Sequence, residues 1–99
     1  DTIILYLLLD KPSYGYEISK QIKAMTNEKY IVKETTLYSA FTRMEKNGYI
    51  TSFPGVGDNG GKKRTYYQIT DEGRLYYQSK CEEWALTKEV IEKFIVKEN

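Results

Sequence analysis

Ninety-nine residues suit one domain, and a 40% hydrophobic content with ten Tyr, three Phe and one Trp can fill a core. The absence of histidine and a sole cysteine, Cys81, exclude imidazole catalysis, histidine or cysteine-rich metal sites and an internal disulfide, and the lone thiol suits a reducing cytoplasm. The net charge of +1 is unevenly spread: residues 33–70 hold six bases against three acids, residues 71–99 five against seven.

Thr2 to Leu9 is apolar almost all round, as a short buried helix or strand would be. Its run from Ile3 to Leu9 is the longest apolar stretch, too short for a membrane span of some 18 residues. Nothing resembles a basic, then apolar signal segment. The chain opens on Asp1 rather than Met, so a few leading residues are expected to precede it. Asp10-Lys11-Pro12 stops the first element, and Ser13 offers an N-cap oxygen to the next helix. Ile18, Ile22 and Met25 at i, i+4 and i+7 predict that helix to about Thr26, and Asn27 to Val32 reads as a linker.

From Lys33 the helical period returns. Leu37, Ala40, Phe41 and Met44 share an arc of about 100°, with Thr35, Ser39, Thr42, Lys46 and, toward one edge, Arg43 opposite. Asn47-Gly48 ends this helix, glycine supplying the left-handed conformation common just past a helix end. Tyr49 to Phe53 reads as a strand, Pro54 to Gly61 as a flexible glycine-rich loop, and Arg64 to Ile69 as a second strand, which together predict a β-hairpin. Thr70-Asp71-Glu72 opens a last helix running to about Val96, some 35–40 Å long. Along it Tyr77, Cys81, Trp84, Lys88, Ile91 and Ile95 recur at alternating spacings of four and three, a coiled-coil-like seam with one charged interruption. A stripe that outruns its own domain needs a partner surface.

Three helices, a hairpin and a long helix make a mostly α chain with a small β-hairpin. This is the layout of a winged helix-turn-helix, with residues 1–70 as the DNA-binding unit and 71–99 as a dimerisation helix. There the third helix enters the major groove: short Thr and Ser side chains let its backbone approach, the Thr35 methyl can pack on thymine, and Arg43 and Lys46 can reach phosphates. Lys62-Lys63-Arg64 beside a glycine-rich tip can follow a phosphate ridge. Ordinary surface helices and solubilising hairpins carry the same residues. The pairing of both on consecutive elements favours duplex DNA over the alternative, a winged-helix protein-interaction module that binds no DNA.

Four blocks in order, Tyr14-Gly15-Tyr16-Glu17-Ile18, Thr36-Leu37-Tyr38, Arg43 to Ile50 and Arg64 to Gly73, resemble the PadR family of bacterial transcriptional regulators. The likeness spans about residues 3–75. It implies a winged-helix domain, binding to a palindromic operator, and homodimerisation through the last helix with help from the first. It also implies repression relieved by small aromatic or cationic compounds. The short C-terminal part is similar to the small-sized subfamily with a single C-terminal helix. With Gly15-Tyr16, Thr36-Leu37-Tyr38 and Lys63-Arg64-Thr65-Tyr66 carried over, the candidate DNA contacts are Tyr16, Lys33, Thr35, Thr36, Tyr38, Ser39, Thr42, Arg43, Lys46, Lys62, Lys63, Arg64 and Tyr66. The candidate dimer contacts are Ile4, Leu8, Tyr77, Cys81, Trp84, Lys88, Ile91 and Ile95. Trp84 either fills the dimer core or stacks with its symmetry mate on a flat hydrophobic effector. Lys88 either pairs with an anionic ligand, reaches solvent, or meets an acid across the seam. Cys81 reads as a plain thiol rather than a redox sensor. The hairpin glycines match no nucleotide-binding fingerprint, Glu82-Glu83 reads as solvation, and neither enzymatic activity nor a cofactor is expected.

Overall fold

Thr2–Leu7 winds into helix α1, bounded by the Asp10-Lys11-Pro12 break. The computed structural model describes residues 1–56 and 63–95. It buries Ile4, Leu5 and Leu8 in the chain's own core. The expectation that Ile4 and Leu8 face a partner is therefore corrected. Ile4 on the inward side of this short helix and Leu8 just past its end are 6% and 1% exposed, which leaves Ile3 and Tyr6 outward.

Ser13 does not cap the second helix. With Tyr14 it forms the two-residue strand β1, pairing opposite Tyr67 and Tyr66 of β3. Its hydroxyl donates instead to the Glu17 carboxylate. Helix α2 (Gly15–Met25) thus begins at Tyr14 with no side-chain cap. The predicted hairpin, β2 (Ile50–Val56) and β3 (Lys63–Ile69), is two thirds of an antiparallel sheet of order β1-β3-β2. Strand β2 runs on through Pro54 to Val56, into the segment expected to be loop. Proline is tolerated on an edge strand, and Gly55 lies under the Tyr66 ring, where a Cβ would come within 2.4 Å of it. The rest of the predicted loop, with Lys62, lies outside the described residues.

Helix α3 (Glu34–Lys46) buries Leu37, Ala40, Phe41 and Met44, as its period predicts. Phe41 stacks on Tyr67 of the sheet at 4.0 Å between centroids. Gly48 closes the helix at φ +80°. Helix α4 (Asp71–Glu92) starts from Thr70, whose hydroxyl accepts the Gly73 N–H at 3.0 Å. It ends at Glu92, four residues before the expected Val96, which lies outside the described residues, and is about 33 Å long at 1.5 Å per residue. Tyr76 and Tyr77 pack on the core, whereas every residue from Cys81 to Ile95 is exposed.

Candidate nucleic-acid interface

A recognition helix works only if its neighbour holds it at a fixed distance. Gly15, at the start of α2, lies under the Tyr38 ring of α3, where a Cβ would stand 3.2 Å from the Tyr38 hydroxyl. The Tyr38 ring also meets Phe41 edge-on at 5.9 Å. The outer face of α3 then presents Thr35, Tyr38, Ser39, Thr42 and Lys46 to solvent. The Thr42 hydroxyl donates to the Tyr38 carbonyl at 3.0 Å, so it meets an outside group as an acceptor. Lys33 is exposed at the N-cap of α3. Thr36 is also exposed but borders the cleft between α3 and α1.

The first turns of α2 and α3 and the basic end of β3 line one polar groove of about 440 Å³, to which Gly15, Tyr16, Tyr38, Lys63, Arg64 and Thr65 contribute along with one acid, Glu34 of α3. Two features suit it to an anion. The opening N–H groups of α2 carry the positive end of the helix dipole and have no side-chain cap. Arg64 lies with its guanidinium 4.6 Å over the Tyr14 ring, and its buried Nε has no hydrogen-bond partner among the described residues. Tyr16 is 59% exposed, with the Lys20 ammonium 5.4 Å above its ring. Lys20 was not among the sequence candidates, although its i, i+4 spacing from Tyr16 is a usable signal.

Two expected contacts have other partners. Tyr66 is half-buried between Phe53 and Tyr14, and its hydroxyl donates to the Val56 carbonyl at 3.0 Å, so it braces the wing. Arg43 forms a forked ion pair with Asp1. Nothing in the sequence announces a pair 42 residues apart. Behind the face, burial, then the Glu45 carboxylate, hold the Tyr67 phenol above its ordinary range, so it stays protonated at working pH.

On the far side, Tyr77 lies half-buried near Tyr6, at 6.4 Å between centroids. Trp84, Ile91 and Ile95 stand 66%, 49% and 56% exposed along the predicted seam, together with exposed Cys81 and Lys88. Leu86, Val90 and Phe94 form a second exposed apolar row that lies off the predicted seam. Trp84 borders a cavity of about 600 Å³ with Thr2, Ile3, Lys80, Cys81, Glu83 and Thr87. Lys88 is not among its lining residues. Among the described residues no His, Cys, Asp and Glu cluster could hold a metal, and no helix is long and apolar enough to cross a membrane.

The Transcriptional regulator PadR-like family matches residues 4–79 of the chain. A solved transcriptional regulator from Clostridium thermocellum shares 62% identity at a TM-score of 0.86, over 96% of this chain and 91% of that one. A PadR family transcription regulator from Clostridium difficile R20291 shares 35% identity at a TM-score of 0.81, over 94% of each. An uncharacterized protein of Lysinibacillus sphaericus is 45% identical over 95 residues, which cover 96% of this chain and 86% of that protein.

Proposed function

Since the chain belongs to the PadR-like family of transcriptional regulators, and is thus a DNA-binding regulator, we propose that it has no enzymatic activity and acts in the cytoplasm as a homodimeric repressor of a palindromic operator. The observation that carries this reading is the single groove shared by the head of α2, the first turn of α3 and Lys63-Arg64 of the wing. A backbone phosphate seated there would take charge-assisted hydrogen bonds from Arg64 and Lys63 and face the positive end of α2. That register lays α3 along the major groove, with Thr35, Ser39 and Thr42 toward base edges and Lys46 toward the phosphates. Tyr16 and Lys33 flank the same strand.

Residues 71–99 serve as the dimerisation arm, two copies meeting along Trp84, Ile91 and Ile95. Half-sites then fall about one helical turn apart. The cavity beside Trp84 suits a small aromatic or hydrophobic effector, with Lys80 rather than Lys88 as the neighbouring cation. Titration of random duplex DNA across a salt series tests the core of the proposal. Affinity should fall steeply with salt, with a slope set by the number of phosphates engaged. Negligible binding at low and moderate salt alike would mark a protein-interaction module instead.

A further inference from the structure

Arg43 stands at the edge of the recognition face nearest α1, and its guanidinium is taken. Nε donates to Oδ2 of Asp1 at 3.1 Å, and Nη2 donates to Oδ1. Lys33 and Lys46 on the same helix have no acid at ion-pair distance among the described residues. We propose that Asp1 stands in for a DNA phosphate at Arg43, so that this arginine is masked in the free protein and reaches the duplex only by exchanging carboxylate for phosphate. The inference rests on the DNA-binding reading above.

Three observations support the mask. A carboxylate and a phosphate offer the guanidinium fork the same pair of acceptor oxygens. The Asp1 side chain is the sheltered member at 23% exposure and Arg43 the open one at 54%, so the acid is seated while the base still faces solvent. The carboxylate also precedes α1, whose Ile4 and Leu5 are buried in the core and whose Ile3 lines the cleft between α1 and α3, so the acid is anchored beside Arg43 by an element outside the recognition helix. An ion pair this exposed is weak. The dense phosphates of a duplex can displace it, yet it opposes every binding event.

The test compares the wild-type chain with Asp1→Asn, Arg43→Ala and the double variant, each titrated by fluorescence anisotropy with one random-sequence duplex at about 50 and 200 mM salt. Asn caps a helix as well as Asp, and no side-chain cap bond is removed, so the fold is preserved. Asp1→Asn should bind about two- to five-fold more tightly per protomer at the lower salt. That gain should shrink at the higher salt and vanish when Arg43 is alanine. Equal affinities for wild type and Asp1→Asn overturn the mask. So does a gain that persists in the Arg43→Ala background, which would reduce Asp1 to general repulsion of the duplex. If no variant binds DNA at either salt, the DNA-binding reading itself fails, and the mask with it.

Discussion

Gly73 sits where α4 crosses the turn that closes α3, and the crossing is tight: a Cβ there would lie 2.1 Å from the Tyr49 carbonyl oxygen and 2.8 Å from Ile69 Cγ1. Backbone cannot step aside as a side-chain tip can. Gly73→Ala should therefore cost about 3 kcal/mol, the upper end for overpacking, measured as a fall in the urea midpoint; a change under about 1 kcal/mol would show that the crossing can relax. Thr70 ties the same junction. Its hydroxyl donates to the Gly48 carbonyl at 2.6 Å and accepts the Gly73 N–H, while its own N–H reaches the Tyr49 carbonyl at 3.0 Å. Thr70→Ala should cost about 1–2 kcal/mol by removing the cap, and Thr70→Ser should restore most of it. Full stability in the alanine variant would mean that water replaces both bonds.

Among elements, the wing carries the prediction most specific to function. Lys63 is exposed on β3 and Arg64 is propped by Tyr14 from the neighbouring strand. Neither supports the core, so the Lys63→Ala/Arg64→Ala double variant should fold normally. It should weaken binding to all DNA sequences and flatten the salt slope by about 0.9 for each phosphate no longer neutralised; an unchanged slope would remove the wing from the interface. Local pattern made the helices and the hairpin legible: the period of Leu37, Ala40, Phe41 and Met44, the Gly48 stop, and Thr70 followed by two acids all act within a turn or two of chain. What was illegible depends on distant partners. Ser13-Tyr14 is a strand only because Tyr66 and Tyr67 pair with it, and that pairing diverts Ser13 from capping. Ile4 and Leu8 cannot be told from interface residues until α2 and α3 close over them. The hydroxyl face of α3 was readable, whereas the engagement of Arg43 by Asp1 and of the Tyr66 hydroxyl by Val56 was not.

At the scale of the molecule, the described residues extend 56 Å along one axis but only 30 and 23 Å along the others, and the second half of α4 has no cover of its own. Trp84, Leu86, Val90 and Ile91, with Phe94 and Ile95 just past its end, leave this arm apolar on two sides, more than an isolated soluble domain usually exposes. In the proposed dimer the Trp84–Ile91–Ile95 row is the seam, and a charge placed there would be buried without a partner. Ile91→Asp should thus convert the protein to monomer at micromolar concentration in sedimentation. Trp84→Ala, which truncates an aromatic anchor, should raise the dimer dissociation constant by about 30-fold, equivalent to about 2 kcal/mol. Neither residue touches the core that shapes the winged domain, so both variants should keep their fold and a functional α3 face. DNA binding by the Ile91→Asp monomer should persist at one half-site, and its salt slope should fall to about half that of wild type because half as many phosphates are neutralised. An Ile91→Asp protein that stays dimeric would move the interface off this seam. A true monomer with the wild-type slope would mean that one domain engages DNA at a time, and the palindromic operator would go with it.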